Sequence, residues 1–299
     1  MTIAEELGLL MQNHDDEPQA AAEQLRKISD QEVPVDQLGR FAWLVDHVIG
    51  EKDGRWSEAY KLITKVTSPH ESLPLSVVRF AAVAAQSSGD PLAAMALERR
   101  MMMEGLSADQ ASTAVRAAVL SFALPGRAID VAAGLLSVID SVDRWSEASA
   151  VDSLVAASLN NTVSALLQQE DETVSHADVN TAMIQGASAA RTLWYRAGTW
   201  INHERADYLC ALVFNRLGNY ARAFEAAERG RQLIDTSGSE DVDRAFLLLE
   251  SARALIGLSR KAEGAEQLRQ AATIAQEWDD DALTKEFDEK AQLVRDLAG

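Results

Sequence analysis

The chain has 299 residues, with 28 lysines and arginines against 46 aspartates and glutamates, which gives a formal net charge of −18. This acidic balance opposes direct binding to nucleic acid and to anionic membranes, because both need a basic surface. Few glycines and prolines, no run of about 18 apolar residues and a single cysteine argue against an all-β fold, a membrane span and an intrachain disulfide.

The N-terminal half reads as short helices separated by turns. It begins without the basic start and apolar core of a secretory signal, so we expect a soluble, cytoplasmic protein. Ser107 and Gln110 fit a capping box, and Asp90-Pro91 fits a helix start. The predicted helices cover residues 3–28 as two pieces, then about 36–50, 56–66, 75–87, 91–103, 108 to near Leu124-Pro125-Gly126, and 127–140.

Residues 141–198 are less regular. A helical pattern runs to about Gln169, an acidic loop follows, and a cap at His176 starts a helix that continues to about Ala197. The remaining predicted helices cover about 200–235 as a pair, 242–257, 260–277 and 281–297. The total is roughly fourteen helices, so the sequence predicts an all-α protein.

One short phrase recurs at the helix boundaries. A glycine ends one helix, a bulky ring or proline opens the next, and a small alanine follows where two helices must approach. The phrase appears as Gly54-Arg55-Trp56-Ser57-Glu58-Ala59, Gly89-Asp90-Pro91-Leu92-Ala93-Ala94 and Gly218-Asn219-Tyr220-Ala221-Arg222-Ala223. Residues 144–148 copy residues 55–59 without the preceding glycine, either as a degenerate repeat or by accident.

Residues 206–234 resemble the tetratricopeptide repeat family. The residues that carry this resemblance are Ala211, Phe214, Gly218, Tyr220, Ala223 and Gly230. Residues 42–66 and 77–101 match in part, with His47 and Pro91 as departures, and residues 245–272 match loosely through Ala252, Leu258 and Gly264. The resemblance implies one domain over 1–299, an α-solenoid of stacked antiparallel helix pairs. Its clearest repeats would be 36–67, 74–104, 200–236 and 242–278.

The resemblance also implies a function, because the family binds peptides or helices in a groove lined by the first helix of each pair. The groove-facing residues would be Arg79, Gln86, Arg205, Tyr208, Leu212, Asn215, Arg216, Phe246, Leu249 and Arg253. We therefore expect a non-enzymatic binding module or scaffold for a protein or peptide. The net charge favours a basic partner, although solubility is the commoner reason for such a charge, and exposed arginines on an acidic protein usually form surface ion pairs.

No catalytic or metal-binding pattern stands out in the sequence. It has no glycine-rich phosphate loop and no nucleophile elbow, and none of the five histidines forms a close pair along the chain. His203 and Asp207 lie four residues apart on one helix face, a geometry that a metal ion could use. A solvated pair is the simpler interpretation. Cys210 lies in an apolar run and is expected to be a small buried side chain. We therefore expect no enzyme, no metal and no cofactor.

Three alternatives remain open. Trp194, Tyr195 and Trp200 form an aromatic cluster at 194–200 that either packs in the core or serves a regulatory sensor of a small peptide or metabolite; the sensor predicts an enclosed apolar cavity. An enzyme built on His203 requires a cleft in which His203, Glu204 or Asp207 meets other polar groups. Self-association through the repeat surface or the last helix would make a homo-oligomer.

Overall fold

The computed structural model describes residues 1–123 and 127–298, and these are helical with no strand among them. The helices are α1 (Ile3–Asn13), α2 (Pro18–Ile28), α3 (Leu38–Leu44), α4 (Trp56–Thr67), α5 (Leu75–Ser87), α6 (Pro91–Met103), α7 (Ala108–Ser121), α8 (Ala128–Val142), α9 (Asp152–Leu167), α10 (Asp171–Val174), α11 (Ala177–Ala197), α12 (Trp200–Arg216), α13 (Tyr220–Ser237), α14 (Asp241–Gly257), α15 (Lys261–Ala275) and α16 (Asp281–Ala298). A 3-10 turn, Val35–Gln37, precedes α3, and a π-helical segment, Val45–Lys52, continues it.

Local capping signals place several of these helices where the sequence predicts them. The Ser107 side chain accepts from the backbone of Gln110, and the Gln110 side chain accepts from the backbone of Ser107, as a capping box requires. Asp90 accepts from the backbone N–H of Ala93 and is followed by Pro91 at the first helical position. The predicted break at Leu124-Pro125-Gly126 lies outside the described residues.

The three glycines of the recurring phrase all adopt left-handed backbone conformations. Their φ angles are +67° at Gly54, +85° at Gly89 and +72° at Gly218. After Gly218, the backbone N–H of Asn219 donates to the carbonyl of Phe214 at 2.8 Å, which closes a Schellman turn at the end of α12. A side chain at these positions would be strained, so the predicted role of the glycines is confirmed.

The small residues of the phrase lie where paired helices approach. Ala59, Ala94 and Ala223 are almost fully buried. In α15 the corresponding position is Gly264, where an added Cβ would lie 3.0 Å from the carbonyl oxygen of Ala252 in α14. The helices of a pair therefore approach each other so closely that only the smallest side chains fit.

The copied segment at 144–148 has a different structure from its original. Trp56 opens α4 and packs against Gly50. Trp145 instead lies in an irregular stretch after α8, is buried, and donates from Nε1 to Asp109 Oδ2 at 3.0 Å. The copy is therefore no helix-pair boundary.

The chain divides into two compact units. The first comprises Met1–Arg127 with Asp140–Ser158, and the second comprises Ala128–Ile139 with Leu159–Gly299. The prediction of a single domain stays a prediction. No helix among the described residues is long and apolar enough to cross a membrane.

Within each unit the helices pack mainly against their neighbours in sequence. In the first unit, α5 packs against α4, α6 and α7. In the second unit, α11 to α15 pack in chain order, α12 also lies beside α14, and α14 also lies beside α16. This order confirms the predicted all-α class of stacked helix pairs.

Candidate functional site

Five of the predicted partner-binding residues lie on two neighbouring helices of the second unit. Arg205, Tyr208, Leu212 and Arg216 follow one another on α12 at spacings of three and four residues, and Arg253 lies on the adjacent α14. Arg205 is exposed and the other four are half-buried. We call these five residues the docking face. It combines three cations with one aromatic and one aliphatic side chain.

Asn215 lies below this face rather than on it. Its side chain is 2% exposed, and its amide donates to both the carbonyl oxygen and the Oε2 of Glu250, each at 2.8 Å. Two hydrogen bonds from one amide tie α12 to α14. Phe246 and Leu249 of α14 are also buried. Asn215 therefore holds the two helices of the docking face together and is left out of it.

Arg79 belongs to the first unit and is buried there, whereas Gln86, two helical turns further along α5, is exposed. Its guanidinium donates to the carbonyl of Leu154 at 3.3 Å and to Ser158 Oγ at 3.1 Å. Burial lowers the pKa of Arg79 to about 10 and raises the pKa of the fully buried Asp46 well above its usual range, and each group partly opposes the other's shift. Arg79 therefore has an internal role and presents no cation to a partner.

Arg205 is the centre of a charged trio that joins α12 to α14. Its Nε lies 2.9 Å from Asp243 Oδ2 and 3.5 Å from Glu204 Oε1. The side chain of Glu204 is fully buried, and burial together with a hydrogen bond to Asp243 raises the pKa of Glu204 to about 9. A carboxyl group with a pKa of about 9 keeps its proton at neutral pH.

Asp207 is a buried anion that clamps three helices. Its Oδ1 accepts from Arg191 Nε of α11 at 2.7 Å and from Arg229 Nη2 of α13 at 2.9 Å, while its Oδ2 accepts from the Tyr195 hydroxyl at 3.1 Å. The expectation of a solvated His203–Asp207 pair is therefore wrong, since Asp207 is fully buried. Arginines 16 residues before and 22 residues after Asp207 supply its counter-charge, and no spacing rule within one helix points to them.

The aromatic cluster at 194–200 separates into three different contacts. Trp194 packs beside Gly198, Trp200 covers Gly238, and Tyr195 stacks on His203 with ring centroids 4.2 Å apart. Cys210 is buried as expected, and burial raises the pKa of its thiol to about 12, so it stays protonated. These aromatic residues and Cys210 thus pack within and between the helices near α12.

This architecture defines the protein as all-α, with helix pairs that pack against one another in chain order. The sequence matches no protein-family model, and no significant match is found among curated proteins. The tetratricopeptide resemblance accordingly rests on the residues quoted for it, above all Ala211, Gly218 and Ala223.

Proposed function

We propose that the chain is a non-enzymatic protein- or peptide-binding module, and that the docking face on α12 and α14 is its binding site. The observation that carries this proposal is that three arginines, Tyr208 and Leu212 lie on two adjacent helices of a strongly acidic chain, none of them fully buried. Aromatic and arginine side chains dominate the energetics of protein interfaces. A face of this composition suits a partner that offers an apolar anchor and hydrogen-bond acceptors.

The rigid support of the face favours the same function. Asn215 and the Arg205 trio link α12 to α14, and Asp207 links α12 to α11 and α13. Because these links already hold the helix backbones in place, binding a partner does not have to order the backbone of the site. Leu212 and the part of Tyr208 that its packing against Phe246 leaves uncovered would contact the apolar anchor. Arg216 and Arg253 would donate to backbone carbonyls or carboxylates of the partner.

Arg216 already has acceptors that a partner must replace or share. It pairs with Asp171 at 2.6 Å and donates to the carbonyl of Gln169 at 3.2 Å. Asp171 is 88% exposed, so this pair is open to solvent and contributes little to stability. A partner carboxylate can therefore exchange with Asp171 at low cost, which makes Arg216 the most informative cation to remove.

The test is selection of a displayed peptide library on the folded protein, followed by binding measurements with the selected peptides. The face variant is Tyr208→Ala/Leu212→Ala/Arg216→Ala, which leaves the Arg205 trio intact. The matched control is Arg269→Ala/Gln270→Ala/Thr273→Ala, three exposed positions on α15. Both variants must first show the helical circular dichroism of the wild type.

We expect a peptide consensus whose binding weakens at least about tenfold in the face variant and is unchanged in the control, since losing one hot-spot side chain alone costs 1–2 kcal/mol or more. Equal binding by wild type and face variant would place the site elsewhere. Stabilisation by a small metabolite that persists in the face variant, without any selected peptide, would instead support a regulatory sensor.

A further inference from the structure

A second group of chemically reactive side chains lies in the first unit, far along the chain from the docking face. His14 caps the end of α1, Asp15 follows it, and His47 lies in the π-helical segment. The two histidine rings are 5.1 Å apart at an angle of 75°. These histidines are 33 positions apart in sequence, so no pattern along the chain pairs them, and only the fold brings them together.

The hydrogen bonds of the two rings determine which nitrogens carry protons. Nδ1 of His14 lies 3.0 Å and 3.1 Å from the carbonyl oxygens of Leu10 and Met11. Nδ1 of His47 lies 2.5 Å from Oε2 of Glu51. Since carbonyl and carboxylate oxygens only accept, both Nδ1 atoms donate, and in the neutral rings both Nε2 atoms keep a free lone pair.

Those two lone pairs converge on one carboxylate. His14 Nε2 lies 3.6 Å from Asp15 Oδ2, and His47 Nε2 lies 3.5 Å from Asp15 Oδ1. One ligand atom can be chosen from each of the three residues so that these atoms all lie within 4.8 Å of one another. Tetrahedral ligands bonded at about 2.0–2.1 Å lie about 3.3 Å from one another, so small side-chain shifts would suffice for coordination.

The surroundings hold the rings in this orientation. Trp43 stacks on His47 with centroids 5.1 Å apart and meets His14 edge-on at 5.4 Å. His14 is only 7% exposed, whereas the Asp15 side chain is 69% exposed. The packing of the two rings therefore fixes the positions of the histidine Nε2 atoms, whereas the Asp15 carboxylate is open to solvent. π-Helical turns such as the one that carries His47 occur frequently at functional sites.

A cation already interacts with this carboxylate. The Lys52 ammonium forms an ion pair with the Asp15 carboxylate. A divalent cation at the point where the three ligand atoms converge would replace the lysine as the counter-charge.

We propose that His14 Nε2, His47 Nε2 and the Asp15 carboxylate form a binding site for a divalent first-row transition metal of the Zn²⁺ type. Two imidazoles select such a metal over Mg²⁺ or Ca²⁺, which prefer oxygen ligands. The backbone carbonyls behind His14 and Glu51 behind His47 supply the outer hydrogen bonds that metal-bound histidines ordinarily make. Three protein ligands leave a coordination position open on the exposed side for water or a further ligand.

Titration of the tag-free, chelator-treated full chain with Co²⁺ tests the proposal, because tetrahedral Co²⁺ has an intense visible spectrum. Competition with Zn²⁺ and Mg²⁺ then establishes selectivity. The variants are His47→Gln, Asp15→Asn and Lys52→Gln, and His70→Gln is the matched control. Asp15 is exposed, so Asp15→Asn tests the site even where a change at His47 disturbs folding.

We expect one Co²⁺ per chain, displaced by Zn²⁺ and not by Mg²⁺. Loss of a ligand in His47→Gln or Asp15→Asn should weaken Co²⁺ binding by about tenfold or more. Even the loss of an outer-shell hydrogen-bond partner typically lowers metal affinity by about 10- to 100-fold. Lys52→Gln should tighten binding by removing the competing cation, and His70→Gln should leave it unchanged. No Co²⁺ binding by the wild type, or equal binding by wild type, His47→Gln and Asp15→Asn, would overturn the proposal.

Discussion

Ser259 takes the same left-handed backbone conformation between α14 and α15 that Gly218 takes between α12 and α13. The φ angles are +64° and +72°, and both residues directly follow the C-cap of the first helix in the pair. The backbone N–H of the next residue closes both turns, from Asn219 to Phe214 and from Arg260 to Leu255, each at 2.8 Å. The α14–α15 pair therefore keeps the turn geometry while it lacks the glycine that normally permits it.

Ser259→Gly should stabilise the protein. A non-glycine residue in the left-handed region is strained by about 1–2 kcal/mol, and glycine relieves that strain while adding some unfolded-state entropy. We expect the free energy of unfolding to rise by about 0.5–1 kcal/mol in urea titrations. The reverse change, Gly218→Ala, should lower it by a comparable or larger amount. If Ser259→Gly instead lowers the free energy of unfolding, the serine side chain stabilises the protein by more than its backbone strain destabilises it.

Asp207→Asn should destabilise the second unit. The substitution removes the negative charge that three donors surround, so Arg191 and Arg229 lose their shared counter-ion. Because both arginines are partly exposed and can be hydrated, we expect a loss of about 2–3 kcal/mol, below that of a fully buried pair. Asp288→Asn, at an exposed position of α16, is the control and should change stability by less than about 0.5 kcal/mol. Similar effects of the two substitutions would contradict the clamp.

Glu204→Gln should change how stability depends on pH. The folded state keeps the Glu204 proton up to a pKa of about 9, whereas the unfolded chain releases it near the ordinary value of 4.5. Folding therefore binds a proton between these values, and the contribution of Glu204 to stability falls as pH rises through this window. Glutamine stays neutral and mimics the protonated acid.

The measurement for Glu204 is chemical unfolding at pH 5 and pH 8. The Gln variant should match the wild type at pH 5 and exceed it by about 1–3 kcal/mol at pH 8. Glu289→Gln, at an exposed site of α16, should leave the pH dependence of the wild type intact. Parallel pH profiles for wild type and Glu204→Gln would mean that Glu204 ionises normally in the folded state.

Gly257→Ala should be destabilising although alanine favours helices. A Cβ at this last position of α14 would lie 2.5–2.6 Å from ring atoms of Tyr220, which opens α13. Displacing the ring should cost about 1–3 kcal/mol of stability, which is more than the higher helix propensity of alanine contributes. Gly8→Ala in α1 is the matched control, because its Cβ would have no neighbour within 4 Å. That control should be neutral or stabilising in thermal melts.

Helix boundaries were the part of this structure most accessible from the sequence. The bounds of α5 and α6 agree with the predicted ranges, and the Ser107–Gln110 capping box is present. These features depend on interactions between residues within one turn of each other, which local sequence specifies. The left-handed glycines belong to the same group.

The pentapeptide shared by residues 55–59 and 144–148 shows where local sequence stops being sufficient. Preceded by Gly54 in a left-handed turn, it opens a helix; preceded by Val142-Asp143, it forms an irregular stretch in which Trp145 bonds to Asp109. The same five side chains thus adopt two structures. The two sites differ in the preceding backbone and in the distant carboxylate that binds Trp145.

Sequence alone determined that this chain is all-α, acidic and punctuated at helix-pair boundaries, because propensity, capping and glycine turns act over a few residues. Only the tertiary structure decided that Arg79 and Asn215 are buried, that Asp207 is enclosed by two arginines, and that His14 and His47 face one carboxylate. Burial and charge pairing between distant segments depend on which helix faces meet. That choice is made by packing of the whole unit, and no short stretch of sequence contains it.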